Sequence, residues 1–150
     1  MDEKEQKSIS FLQDWSQNYF KSRDAFKKEI ISIEKIDMGI IIIFKDRKER
    51  IICMPDLSNL NNYDLSGNIT IITLNNKLNI EKLYTLWKKF ITFSSLKIYF
   101  INPFSSLDKK WIISPQVHAK ICDDSSLKTG FKSMFETVEE LTEESLISKL

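Results

Sequence analysis

Histidine occurs once in this sequence, at position 118, and cysteine twice, at 53 and 122. Structural zinc is held by four Cys or His ligands, so a closed site of that kind is excluded, and no metal is expected. The three glycines, Gly39, Gly67 and Gly130, are widely dispersed. They cannot build a phosphate-cradling loop, and neither a Walker A nor a G-x-G-x-x-G pattern is present. H-E-x-x-H, an EF-hand loop, C-x-x-C and the G-x-S-x-G elbow are missing too, so no cofactor is expected. Prolines also number three, and with Gly and Pro both scarce nothing resembles a long flexible linker. The longest apolar run, Gly39 to Phe44, falls far short of the roughly 18–20 residues of a membrane span. No apolar region follows the charged start MDEKEQK, as a signal peptide requires. These absences predict a soluble cytoplasmic protein with no membrane association and with both thiols reduced and buried.

Against them stand 42% hydrophobic and 11% aromatic residues in a chain of 150. That is enough for one folded domain spanning 1–150, with 1–7 and 142–150 expected to fray. The formal charge of +1 is unevenly spread: residues 136–150 carry −4, residues 1–20 carry −2, and the stretch between carries +7. A basic body between acidic ends points to an anionic partner, or simply to a solvated surface.

Ile9, Leu12, Trp15 and Tyr19 fall at helical spacing and predict a helix over 8–22. EIISIEKI (29–36), GIIIIFKD (39–46) and RIICMP (50–55) read as a strand meander, with Asp37-Met38-Gly39 and Asp46–Glu49 as its turns. Residues 56–68, rich in Asn, Ser and Asp, read as a loop, and NITIITLN (68–75) as a fourth strand. A helix over 79–93 and strands over 95–102 and 109–113 follow, the helix crossing over between parallel strands. Leu127, Phe131, Met134, Phe135, Val138 and Leu141 predict a last helix over 126–141, where Gly130 suggests close packing. The expected fold is α+β, an α/β sandwich: one mixed sheet of five to six strands with helices packed on it, in the order α-β-β-β-β-α-β-β-α.

Candidate sites are few. His118 lies four residues before Cys122 and close to Asp123 and Asp124, so it has the makings of a base with a carboxylate beside it. The competing reading packs its ring against the sheet end, with the aspartates capping the next helix. Asn75, Asn76 and Asn102 end the two strands joined by the crossover, and Trp111 lies nearby in sequence. Ligands gather beyond the carboxyl ends of parallel strands, where paired amides can hold a ligand; asparagine also starts turns for local reasons. Lys45, Arg47, Lys48 and Arg50 cluster at one hairpin and are the candidate phosphate contacts.

The order helix, three-strand meander, helix, strand resembles the core of restriction-endonuclease-like proteins over about two-thirds of the chain. That family carries an acidic residue on the second strand and Glu-x-Lys or Asp-x-Lys on the third, which together hold a metal. Here the third strand reads Ile51-Ile52-Cys53-Met54 and the next Thr70-Ile71-Ile72-Thr73-Leu74, without the carboxylate and lysine. Asp37, Asp46 and Asp56 sit at strand ends instead. The resemblance therefore implies a relative without a complete active site. The sequence favours a non-catalytic binding domain that engages a protein partner or itself, with Phe93, Phe104 or Tyr63 as candidate anchors. The alternative is a nucleic-acid-associated domain of nuclease-like fold.

Overall fold

The computed structural model describes residues 2–150, with Asn61 and Asn62 described by their backbone alone. Helix α1 (Glu3–Arg23) precedes strands β1 (Ile30–Ile36), β2 (Gly39–Phe44) and β3 (Lys48–Cys53). After a 3₁₀ segment come β4 (Ile69–Leu74), α2 (Lys77–Thr85), α3 (Trp87–Phe90), β5 (Lys97–Ile101) and β6 (Lys110–Ile113). Helices α4 (Pro115–Ile121), α5 (Leu127–Phe135) and α6 (Glu143–Lys149) complete the described chain.

The strands form one mixed sheet in sequential order, β1 to β6. β3, β4 and β5 are mutually parallel, and the flanking pairs are antiparallel. The β-branched run of β2 fits a pleated, buried surface. Its first residue must be Gly39, because a Cβ there would lie 1.8 Å from the Ile51 carbonyl oxygen. All six residues of β4 are buried, as a strand covered on both faces requires.

On one face, Ile9 and Leu12 of α1 and Leu146 of α6 pack against Ile40, Ile42, Ile51, Ile72 and Leu74. On the other, Leu83, Trp87, Phe90, Leu127 and Phe131 pack against Ile71, Ile98, Phe100 and Trp111. The three parallel strands give the sheet a direction. Their amino ends lie together at one end of the molecule and their carboxyl ends at the other.

Several predicted elements are corrected. The helix over 79–93 is two helices, because Leu86 leaves helical dihedrals (φ −96°, ψ 9°) and the next turn re-aims Trp87 and Phe90 into the core. The helix over 126–141 stops at Phe135. Val138 and Leu141 are buried as predicted, but from extended chain, with Val138 bridged to Asp108. Residues 115–121, outside every predicted element, form a helix started by Pro115, whose missing N–H costs nothing in a first turn. The expected fraying at 142–150 gives way to α6, where Thr142 Oγ1 accepts from Ser145 N and Leu146 is fully buried. At the other terminus Asp2 caps α1, so helix begins at Glu3. Gly130 faces open space rather than close packing.

Candidate functional site

The carboxyl ends of the parallel strands come first, because ligands favour that position. Asn75, Asn76, Asn79 and Asn102 are all buried there. Asn75 Nδ2 donates to the carbonyls of Phe135 (3.1 Å) and Val138 (2.9 Å), and its Oδ1 accepts from Trp111 Nε1 (2.8 Å). Asn76 Nδ2 donates to the Leu141 carbonyl at 3.1 Å, and its Oδ1 caps α2 by accepting from Asn79 N. Asn102 Nδ2 donates to the Glu139 carbonyl (3.0 Å), while its Oδ1 accepts from Phe104 N. Asn79 joins the set: its amide reaches Pro55 O, Thr73 Oγ1 and Leu74 O, and its Oδ1 accepts from Leu57 N. The chain's own segment 135–141 thus lies across the strand ends, and the predicted ligand-binding amides are occupied in holding it. Trp111 is 4% exposed and stacked on Phe100 at 4.3 Å.

His118 lies on α4, half-buried, edge-on to Trp87 at 5.7 Å and tilted against Phe131 at 6.0 Å. Asp123 accepts from the hydroxyls of Ser125 and Ser126, which holds its carboxyl below the usual range. Asp124 is exposed and opens the 3₁₀ turn before α5. The surroundings of His118 are aromatic. Cys122 ends α4 and Cys53 is buried in β3 beside Ser16 Oγ at 3.7 Å; both are free thiols. Burial pushes the Cys53 thiol up to about 12, although the Ser16 hydrogen bond opposes the shift.

The amino ends of the same strands are open. A cleft there is lined by Phe20, Arg23, Asp24, Lys27 and Glu29 from the end of α1 and the turn after it, Phe44, Arg47 and Glu49 from β2, β3 and their hairpin, and Thr70, Lys97 and Tyr99 from β4 and β5. Arg23 Nη1 donates to the Tyr99 hydroxyl (3.1 Å), and its guanidinium lies 5.7 Å from the Tyr19 ring. Burial, more than the neighbouring groups, pushes the Tyr99 phenol up to about 12. Arg47 lies over the Phe44 ring at 4.0 Å and pairs with Asp46 (2.9 Å) and Glu49 (3.5 Å). Of the cations predicted at this hairpin, Arg47 enters the cleft, Lys45 and Lys48 are exposed, and Arg50 turns to the Asp64 carbonyl. Arg23, Lys27 and Lys97 escaped the sequence reading. They lie far apart in the chain, and only the sheet order brings them together.

Of the proposed aromatic anchors, Tyr63 and Phe93 pack against the core, and Phe104, 47% exposed, stacks on Phe11 at 5.8 Å. The most exposed aromatic is another residue, Phe26, at 98%. It sits in the α1–β1 turn. Both Asp24 carboxylate oxygens accept from the backbone there, from Glu29 N and Ile30 N at 2.9 Å each. Ile31, on the adjoining edge strand, is 64% exposed.

Among the described residues, no group of three or more His, Cys, Asp or Glu side chains is placed to hold a metal ion, and no helix is long and apolar enough to cross a membrane. Compared with known proteins, the chain matches no family model, no curated protein and no solved structure.

Proposed function

We propose that this protein is a non-catalytic binding domain that engages a protein partner through the turn carrying Phe26. The observation that carries the reading is a phenyl ring left 98% exposed on a turn braced at both ends of its backbone. Lys28, in the same turn, takes a left-handed φ of 51°, which a non-glycine residue adopts at a cost of about 1–2 kcal/mol. A braced, strained turn presenting an aromatic ring suits an anchor that fills a pocket with little ordering entropy left to lose. Lys27 and Lys28 follow Phe26 in the chain, so a matching apolar pocket would carry acidic groups on that side. The partner is another protein or a second copy of this chain.

The test places a photoreactive phenylalanine analogue at position 26 and, as control, at Leu107, 59% exposed elsewhere on the surface. The expected result is a discrete crosslinked species from position 26 alone, between copies of the purified protein or in extract, that excess unlabelled wild type suppresses and unlabelled Phe26→Ser does not. Equal crosslinking from both positions removes the reading.

A second reading is favoured by the cations at the amino ends: the domain binds nucleic acid there. Arg23, Lys27, Arg47 and Lys97 line one cleft, with Tyr99 and Phe44 beside them. Binding of short DNA and RNA, followed by fluorescence anisotropy, should then fall steeply with salt.

A further inference from the structure

The cleft at the amino ends of β4 and β5 has a more specific chemistry than a basic surface. Its cations are unequal. Arg47 is already paired with Asp46 and Glu49 and is held on the Phe44 ring. Arg23 is oriented by one N–H to the Tyr99 hydroxyl, which leaves the remaining donors of its guanidinium fork free. Lys27 and Lys97 make no ion pair among the described residues. The carboxylates are unequal too. Asp24 spends both oxygens on backbone N–H groups, and Glu49 faces Arg47. Glu29, half-buried, is the one lining carboxylate with neither an ion pair nor a side-chain hydrogen bond among the described residues. Thr70 and Tyr99 add hydroxyl-bearing side chains, and Phe20 and Phe44 add apolar walls.

We infer that this cleft is a subsite for the phosphate group of a phosphate ester, held by Arg23 and Lys97 over the Thr70 and Tyr99 side chains. A planar guanidinium oriented from behind, with an uncommitted ammonium beside it, suits the tetrahedral oxygens of a phosphate. The apolar walls suit the organic part of the ester. The inference rests on the second reading above, that anions bind at this end, and owes nothing to the Phe26 surface.

The test titrates the labelled protein with inorganic phosphate, adenosine monophosphate and a short single-stranded DNA in turn, following backbone amide shifts. The expected result is saturable binding of phosphate or the mononucleotide, with the largest shifts at Thr70, Lys97 and Tyr99. Arg23→Lys and Lys97→Ala should each weaken it about three- to tenfold, as loss of one charge-assisted contact implies. Glu29→Gln should tighten it, because the repelling carboxylate is gone; weaker binding in that variant would mark a site for cations and overturn the inference. Shifts centred elsewhere, or affinities unmoved by Arg23→Lys and Lys97→Ala, overturn it as well. DNA that binds in a salt-dependent way with these variants unaffected would preserve nucleic-acid binding at the basic end and still discard the subsite. Mononucleotide binding without DNA binding would keep the subsite and assign it to a small ligand. Amide spectra of the variants, superimposable away from the cleft, establish that each is folded.

Discussion

At the carboxyl ends of β3, β4 and β5, four buried asparagines hold the chain's own backbone, and acidic side chains surround the seal. Asp2, Glu5 and Asp56 there act on Glu143, whose carboxyl is raised first by burial and then by these neighbours. At the amino ends of the same strands, four cations and three carboxylates line an open cleft together with Phe20, Phe44 and Tyr99, and no buried asparagine holds backbone there among the described residues. The two ends differ in where hydrogen-bonding capacity goes. Asparagine amides that meet backbone carbonyls inside the protein have none left for a ligand, whereas lysine ammoniums at a rim keep theirs. At the carboxyl ends the amides are committed to the chain's own backbone, although a cleft beside Asn76 and Asn79 remains, and at the amino ends the lysines make no ion pair among the described residues.

The difference can be broken from either side. The largest effect is expected at the sealed end. Asn79→Ala removes the partner of Leu57 N and strands three acceptors in a site with no exposed surface, and should cost about 3 kcal/mol or more in chemical denaturation. At the open end, Lys97→Ala should change stability by less than about 0.5 kcal/mol while weakening anion binding.

High pH probes the groups under the cleft and within the sheet. Cys53 and Tyr99 both ionise near 12 when folded, against ordinary values of 9.0 and 10.0. Both are neutral acids whose folded pKa is raised. Their contribution to stability is therefore complete below about pH 9 and is lost as pH rises toward 12. Melting temperature should hold through pH 8 and fall above pH 9, and Cys53→Ala should soften the first part of that fall. Gly130→Ala in α5, with open space at the Cβ position, should raise stability by about 1 kcal/mol, read as a shift in the urea midpoint.

The sheet was legible because β-branched runs such as Gly39–Phe44 have few other places to go, and the crossover helix implied the parallel pair that β4 and β5 form. The last helix was overextended because Val138 and Leu141 keep the helical period while being buried from extended chain. At its end the Asn75 amide, 60 residues away in sequence, donates to the Phe135 carbonyl, and a single-sequence periodicity contains no trace of that bond. The cleft was half legible. Arg47 announces itself in a basic hairpin, but Arg23 and Lys97 are isolated cations until β5 is laid two strands from β3. Phe26 was hidden among charges at the end of a helical pattern, where nothing local distinguishes an outward aromatic from a core one.

The asparagine seal also sets a timetable for synthesis. Asn75 waits for Val138, and Asn76 for Leu141, separations of 63 and 65 residues. At the usual elongation rate of about 5–20 residues per second, each amide emerges about 3–13 s before its partner carbonyl has been made. During that interval the amides have no carbonyl of segment 135–141 to meet, and water must take its place.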